Sequence, residues 1–224
     1  AFAAADQARG DIQLTYFEYS ALAALFLFKE ADLDVAILEI GLGGRLDALN
    51  AVDADVALVT SIGLDPQDYL GRDLEPIGRE KAGVFRRGQD VVLGSVTASV
   101  HEAARALNCR SHVLGQSIQV QHQMQGTLNQ WGYACTDLDL ELAPIALGAL
   151  APDTCALAIT AAALLTSARD VEKAVPALAE ANLPGRMEHH DDLGADVILD
   201  VAHNPAAAAF LADELARRFP GRRY

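Results

Sequence analysis

The run Asp55-Val-Ala-Leu-Val-Thr-Ser-Ile62 decides the fold of this 224-residue chain, because five of its eight residues are apolar and four of these are consecutive. Strands inside a parallel sheet are covered on both faces and show this continuous apolar pattern. Two further runs share the pattern, Val35-Ala-Ile-Leu-Glu-Ile40 and Asp90-Val-Val-Leu-Gly94. The three runs together predict parallel strands of a buried sheet.

Helical periodicity fills the segments around these strands. Apolar residues recur at helical spacing in five segments, residues 17–31, 74–85, 97–108, 153–167 and 171–181. Strands that alternate with helices favour an α/β fold with a doubly wound, mostly parallel sheet. Residues 117–142 differ, because their short polar strands around Gly126 and Gly132 predict an antiparallel excursion.

A break in the pattern at Leu183-Pro-Gly-Arg186 predicts a domain boundary. A strand follows at Asp196-Val-Ile-Leu-Asp200, and Asn204 before Pro205 is a good start for a helix. We therefore expect two domains, residues 1–184 and 185–224. The first residues are typical of the end of a helix and the last stop where another strand should follow, so we expect a fragment.

Composition and charge exclude several classes of function. The chain has 17 Lys and Arg against 31 Asp and Glu, a net charge of −14, whereas nucleic acids and anionic membranes require basic surfaces. Cys109, Cys135 and Cys155 form no CxxC or Cys/His pattern, so neither a disulfide scaffold nor a structural zinc site is expected. The sequence contains no apolar run of about 20 residues that could span a bilayer. We expect a cytoplasmic protein.

Polar residues at predicted strand ends are the candidates for chemistry, because open α/β sheets bind ligands there. Glu39 stands inside an apolar strand, where a buried carboxylate must be paired, protonated or bound to a metal. The segment Asp200-Val-Ala-His-Asn-Pro205 places an acid, a histidine and a helix start together. Residues 189–192, His-His-Asp-Asp, are interpreted as a polar linker. No partner is predicted for His101, His112 and His122.

Five sequence blocks carry a family resemblance. They are Glu39-Ile-Gly-Leu-Gly-Gly-Arg-Leu-Asp-Ala48, Thr60-Ser-Ile62, Arg79-Glu-Lys-Ala-Gly83, Leu183-Pro-Gly-Arg186 and Asp200-Val-Ala-His-Asn-Pro205. With Leu14-Thr-Tyr-Phe-Glu18, they resemble bifunctional dihydrofolate synthase/folylpolyglutamate synthase, of the Mur ligase superfamily. The resemblance runs nearly end to end and implies a partial central ATPase domain in residues 1–184 and the start of a Rossmann-like C-terminal domain in residues 185–224.

The resemblance implies an ATP-dependent ligase that adds L-glutamate to dihydropteroate or folate through an acyl phosphate, with Mg²⁺ as cofactor and a monomeric complete enzyme. Glu39 would bind Mg²⁺, and Lys81 and His203 would be catalytic, with Lys81 carbamylated to hold a second metal. The ATP-binding residues would be Asp153, Arg186 and Asp200. The pteroate site would consist of Thr15, Tyr16, Phe17, Glu18, Leu46, Asp47 and Ala48.

Several positions depart from the family pattern. Leu64-Asp65-Pro66 stands where the family has a metal-binding His, Leu49 replaces a Thr, and Asp153 replaces an adenine-side Asn. The family's Gly-Lys-Gly-Ser phosphate loop does not occur in the chain, so we expect the isolated chain to be inactive. Two alternatives stay open: a non-catalytic descendant that acts in binding or assembly, and a peptidoglycan-type Mur ligase with a UDP-linked substrate.

Overall fold

A computed structural model describes residues 1–63, 73–125, 128–191 and 196–223. The chain divides into two compact units, Ala1–Ala54 and Asp55–Tyr224. The predicted domain boundary at residue 184 lies inside the second unit and stays a prediction. Among the described residues, no helix combines the length and the apolar character that a membrane span requires.

The first unit contains two helices and a long irregular segment. Helix α1 (Phe2–Arg9) packs on helix α2 (Tyr16–Glu30), and a single 3₁₀ turn covers Ala48–Ala51. The rings of Phe2 and Tyr19 stack with their centroids 5.4 Å apart, which joins the two helices. The prediction of a helix over residues 17–31 is confirmed.

The apolar run at residues 35–40 is not a strand in this structure. It has no regular secondary structure, it forms no sheet ladder with the described residues, and its Ile37 is 89% exposed. The prediction of a buried parallel strand here is wrong for the chain as described. An apolar run becomes a buried strand only where neighbouring strands accept its backbone hydrogen bonds, and residues 35–40 have no such neighbour in the described structure.

The second unit is built on a three-stranded parallel sheet with the order β1-β2-β3. Strand β1 covers Val56–Ser61, β2 covers Asp90–Ser95 and β3 covers Arg110–Val113. Helices α3 (Leu74–Lys81) and α4 (Ala98–Ala106) provide the crossovers between them. These elements confirm the predicted strands at residues 55–62 and 90–94 and the α/β class.

An antiparallel sheet follows at the place where the sequence predicts one. Strands β4 (Ile118–Gln125), β5 (Leu128–Cys135) and β6 (Leu140–Ala146) pair in the order β4-β5-β6. The backbone bridge between Leu114 and Ile118 leads directly from the parallel sheet into this antiparallel one. The carboxyl end of β3 therefore lies close to the beginning of β4.

The rest of the chain is mostly helical. The remaining elements are α5 (Pro152–Leu165), α6 (Ala168–Ala174), α7 (Ala177–Glu180), β7 (Glu188–His190), β8 (Val197–Leu199) and α8 (Pro205–Arg218). Strands β7 and β8 form an antiparallel pair, in the region where the sequence predicts a strand at residues 196–200. Helix α8 begins after Asn204 with Pro205 in its first position, as predicted.

The core of the second unit covers both faces of β2. Val91 and Leu93 point to one face, where they join Val100 of α4 in an apolar cluster. Val92 points to the other face, where it meets Leu157 of α5 in a cluster that includes Trp131 of β5. Successive residues of β2 therefore enter different cores, which is why the sequence of this strand is apolar without alternation.

Arg218 fastens the end of α8 to the loop before α5. Its guanidinium donates to the carbonyl oxygens of Gly148, Ala149 and Leu150 at 2.6, 3.0 and 3.3 Å. The same guanidinium pairs with the buried carboxylate of Glu214 at 3.0 Å. A buried charge is tolerated only when it is paired and hydrogen-bonded, and Arg218 meets both conditions.

Candidate functional site

Asp200 joins two of the sequence blocks that predicted chemistry. Its carboxylate accepts hydrogen bonds from the backbone N–H groups of Met187 and Ala202, both at 2.9 Å. The N–H of Val201 donates in turn to the carbonyl of Gly185 at 2.8 Å. The turn at residues 183–186 is thereby fixed against the segment that leads into α8.

Gly185 is required by this arrangement for two reasons. Its φ is +68°, a conformation that side chains disfavour, and a Cβ there would lie 2.7 Å from Cγ1 of Val201. Its N–H donates to Oε2 of Glu188 at 2.8 Å, which lowers the pKa of that carboxyl. The neighbouring Arg186 is exposed, and its guanidinium contacts the carbonyl of Gly185 at 3.4 Å.

The start of α8 brings His203 to the same place. Nδ1–H of His203 donates to the carbonyl of Val201 at 2.9 Å, which sets the orientation of the exposed ring. Oδ1 of Asn204 accepts from the N–H of Ala207 at 2.8 Å and caps the helix. A Cβ on Gly63 would lie 3.6 Å from that of Ala206, so the chain leaving β1 passes beside the first turn of α8.

Two other predicted residues of the second unit lie on separate helices. Asp153 is exposed in the first turn of α5, and Lys81 is half-buried at the last position of α3. Their predicted roles stay predictions.

In the first unit, the side chain of Asp47 closes the glycine-rich loop at residues 41–47 through hydrogen bonds to backbone N–H groups. Its carboxylate accepts from the N–H groups of Gly41, Leu42 and Leu49 at 3.1, 3.3 and 2.9 Å. A Cβ on Gly41 would lie 3.5 Å from Cζ of Phe17. The loop therefore closes around Asp47 and lies against the Phe17 ring, which brings together two members of the predicted pteroate set.

The other members of that set lie at the ends of helices or at the surface. The side chain of Thr15 accepts from the N–H of Glu18, and Oε2 of Glu18 accepts from the N–H of Thr15 at 2.7 Å, a reciprocal cap for α2. This N–H and the Thr15 hydroxyl lower the pKa of Glu18. Tyr16 is 87% exposed, Leu46 is 77% exposed, and Ala48 begins the 3₁₀ turn.

Glu39 is exposed, so the prediction that it is a buried carboxylate is wrong for the chain as described. The sequence placed it as a buried carboxylate inside an apolar strand, whereas the structure leaves the run unpaired and Glu39 exposed. Burial therefore does not force this carboxylate to find a partner. Its proposed role as a metal ligand depends on the family resemblance alone.

The histidines of the predicted polar linker form ion pairs with nearby carboxylates, and some residues singled out from the sequence lie outside the described ranges. His189 pairs with Asp196 and His190 with Glu188, each at 3.1 Å, in the polar β7–β8 region. Pro66, which replaces a metal-binding His of the family, lies outside the described residues, and so does Asp192. All three cysteines are free thiols, as expected.

Sequence reasoning missed the surroundings of His112. Its ring is buried between two carboxylates, with Nε2 3.1 Å from Asp90 and Nδ1 3.2 Å from Asp137. The partners are 22 and 25 residues away in sequence, so no local spacing could reveal them. The parallel pairing of β2 with β3 could have indicated one of these contacts, because it places Asp90 opposite Arg110 and near His112.

Comparison with known proteins connects these features to one group of enzymes. The chain is 46% identical over 230 residues to the dihydrofolate synthase/folylpolyglutamate synthase of Escherichia coli, a match that covers 96% of this chain and 50% of that protein. The chain spans about half the length of the curated relatives that it matches. No family model matches the chain.

Solved structures give the same result for the fold. The structure described as E. coli FolC in complex with DHPP and ADP superimposes with a TM-score of 0.84 at 39% identity, over 99% of this chain and 52% of that one. A bifunctional folylpolyglutamate synthase/dihydrofolate synthase with Mn, AMPPNP and L-glutamate bound gives 0.80 at 40% identity, over 96% and 52%. By sequence and by fold, the chain is similar to about one half of the dihydrofolate synthase/folylpolyglutamate synthases.

Proposed function

We propose that the whole protein is an ATP- and Mg²⁺-dependent carboxylate–amine ligase that adds L-glutamate to dihydropteroate or folate, acting as a cytoplasmic monomer. ATP would phosphorylate the carboxylate, and the glutamate amine would displace phosphate from the acyl phosphate to form an amide. Support comes from the 46% identity to a named synthase and from relatives whose structures hold ADP, AMPPNP, Mn or L-glutamate.

The hydrogen bonds of Asp200 to the backbone of Met187 and Ala202 are the observation that supports a nucleotide site in this part of the chain. They hold the exposed guanidinium of Arg186 beside the segment that orients His203 and begins α8. Guanidinium groups bind phosphates through charge-assisted hydrogen bonds. We assign Arg186 to direct contact with ATP and Asp200 to the nucleotide site, where its carboxylate also fixes two backbone segments.

We assign the binding of the folate substrate to residues of the first unit. Phe17 lies against the loop that Asp47 closes, Leu46 belongs to that loop, and both side chains and the ring of Tyr16 are exposed. Aromatic side chains stack on planar rings and contribute large contact areas. We assign this surface to the pterin and aryl rings of the folate substrate, and we assign Thr15, Glu18 and Ala48 to its border.

The chemistry of Glu39 fits the proposed cation. Its exposed carboxylate offers a hard oxygen ligand, the type that Mg²⁺ binds in proteins. Lys81 offers an amine that carbamylation would convert into a second carboxylate. When bound, the cation would neutralise phosphate charge during transfer.

The test measures ATP-dependent glutamate ligation by the gene product isolated from its source cells. Arg186→Ala should lower kcat/KM for ATP about 10- to 100-fold, because a hydrogen bond to a charged group contributes about 1.5–3 kcal/mol. Arg169→Ala is the matched control, since Arg169 is an exposed arginine on α6. Equal effects of the two substitutions would contradict the assignment of Arg186.

The same preparation separates the alternatives that the sequence left open. A product with an intact mass near 23.8 kDa and no ligation would favour the non-catalytic descendant. In an inactive complete protein, a gain of Mg²⁺-dependent turnover from Pro66→His would show that the lost ligand causes the inactivity. Binding of a UDP-linked substrate in place of a pteroate analogue would favour a peptidoglycan-type ligase.

A further inference from the structure

Three side chains with metal-binding atoms meet between the parallel and antiparallel sheets of the second unit. His112 of β3, Cys135 at the end of β5 and Asp137 in the following 3₁₀ turn place one ligand atom each within 4.8 Å of one another. We call these three residues the His112 cluster. Its His and Cys are buried, while Asp137 is exposed, so the cluster opens to solvent on one side.

Backbone pairing fixes the positions of these residues. The N–H of Thr136 donates to the carbonyl of Ser117 at 3.0 Å, and Oγ of Ser117 accepts from the N–H of Val113 at 3.1 Å. Ser117 therefore ties the end of β5 to β3. Two of the three ligands, His112 and Cys135, lie on strands, a placement that holds ligands more precisely than a loop does.

The imidazole of His112 is oriented in the way that metal-binding histidines are. Nε2 lies 3.1 Å from Oδ1 of Asp90, and Asp90 is held by the Arg110 guanidinium, whose Nε lies 2.9 Å from the same oxygen. A carboxylate that accepts a hydrogen bond from the N–H of one ring nitrogen leaves the other nitrogen as a possible metal ligand. Nδ1, the remaining nitrogen, faces Oδ2 of Asp137 at 3.2 Å.

A ring nitrogen and a carboxylate oxygen that face each other at this distance share a proton or a cation. Metal bonds of about 2.0–2.2 Å from N and O ligands in a tetrahedral site place those ligand atoms about 3.3–3.5 Å apart. The separation of 3.2 Å between Nδ1 and Oδ2 is close to this edge. Nδ1 and Oδ2 therefore already stand at a separation that suits a shared cation, and Sγ of Cys135 lies within 4.8 Å of a ligand atom of each residue.

The sulfur of Cys135 is the third candidate ligand atom of the cluster. Burial holds the pKa of this thiol above its usual value, although the N–H groups of Leu138 and Asp137 donate to the sulfur. Cysteine binds metals as the thiolate, so a bound cation would displace the thiol proton. A set of one sulfur, one imidazole nitrogen and one carboxylate oxygen suits Zn²⁺, whereas Mg²⁺ prefers oxygen ligands alone.

We propose that His112, Cys135 and Asp137 bind a thiophilic divalent cation of the Zn²⁺ class, with Asp90 as a positioning residue for the imidazole. Water would take the fourth position on the side where Asp137 is exposed. The cation would fasten the end of β5 to the edge of the parallel sheet. This site is independent of the proposed ligase function. It goes against the expectation of no structural zinc site, which rested on local Cys/His spacing, because His112 and Cys135 belong to different strands and Asp137 to a 3₁₀ turn.

Cobalt provides the test, because Co²⁺ bound to a thiolate gives a sulfur-to-metal charge-transfer absorption. The metal-depleted 224-residue chain is titrated with Co²⁺, and Zn²⁺ is then added in competition. We expect the charge-transfer band to appear in the unmodified chain, to disappear on addition of Zn²⁺ and to persist in excess Mg²⁺. Cys155→Ser, which changes a buried thiol elsewhere in the core, should leave the band unchanged.

Three variants distinguish the cluster from a nonspecific site. Cys135→Ser should abolish the band, and Asp137→Asn, a change at an exposed residue that should not impair folding, should weaken Co²⁺ binding by tenfold or more. Asp90→Asn should weaken it about 10- to 100-fold, the usual effect of altering a residue behind a metal-binding histidine. Absence of Co²⁺ and Zn²⁺ binding by the unmodified chain, or a band that survives Cys135→Ser, would overturn the proposal. Unchanged affinity in Asp137→Asn would also overturn it.

Discussion

Two apolar runs of this chain have similar sequences and opposite environments. Residues 35–40 of the first unit leave Ile37 89% exposed, whereas Val91, Val92 and Leu93 of β2 have no exposed surface. Strand β2 has a hydrogen-bonded strand on each side and a helical layer or second sheet on each face. Apolar composition alone therefore does not bury a strand, because the backbone groups of that strand must also be satisfied.

The strongest test of this comparison is Gly94→Val in β2. A Cβ at Gly94 would lie 1.9 Å from the carbonyl oxygen of Thr60 and 2.9 Å from Leu157, so β1 would be pushed away. We expect a loss of about 3 kcal/mol or more in the free energy of unfolding, measured with urea. The control Ala36→Val enlarges an exposed residue of the other run and should change stability by less than about 0.5 kcal/mol.

A milder test truncates one side chain in each run. Leu93→Ala should cost about 2–5 kcal/mol of unfolding free energy, because it removes methyl groups from a fully buried site. Ile37→Ala should cost less than about 0.5 kcal/mol, because nearly all of that side chain is in water. Equal losses would show that residues 35–40 are buried in the native protein, and the contrast between the two runs would fail.

The helix caps of the two units offer a smaller effect. In the first unit, Thr15 and Glu18 cap α2 within one turn. Thr15→Ala should lower stability by about 0.5–2 kcal/mol and reduce the helical circular dichroism signal. Ser20→Ala, inside the same helix, is the control and should have little effect; a similar loss there would argue against a capping role.

In the second unit, a more distant residue provides the corresponding cap. Oε2 of Glu75 on α3 accepts from the N–H of Ser99 in α4 at 2.8 Å. Hydrogen bonds from the Ser99 hydroxyl and this N–H lower the pKa of the carboxyl. The stabilisation is therefore present above the ordinary pKa of glutamate, and it is lost as the pH falls through the lowered pKa of the folded state.

Glu75→Gln tests this sign directly. We expect the variant to melt below the unmodified chain at neutral pH, and we expect the difference in Tm to shrink as the pH falls below about 4. The measurement is a series of thermal melts across that range. A difference in Tm that does not depend on pH would mean that the carboxylate charge contributes nothing to the cap.

Local pattern predicted most elements of the second unit. The strands at residues 55–62 and 90–94 were correct because the parallel sheet covers them on both sides, and Asn204 before Pro205 marked the start of α8. Residues 35–40 failed because the sequence shows that a run is apolar and does not show which strands pair with it. Pairing is a property of the whole chain.

The candidate site was predictable to a similar degree. The resemblance selected Arg186 and Asp200, but only the structure shows that Asp200 binds the backbone of Met187 and so joins two distant blocks. The His112 cluster was not predictable, since its partners are brought together by strand pairing across more than twenty residues. The sequence could suggest which residues carry chemistry, and it could not show which of them become neighbours.

Arg218 fixes the last turn of α8 at a distance from the residues that precede its first turn. The helix has 14 residues and a length of about 21 Å, with His203 just before its first turn and the Arg218 carbonyl clamp at its last residue. These hydrogen bonds tie the far end of α8, about two nanometres from His203, to the backbone carbonyls just before α5.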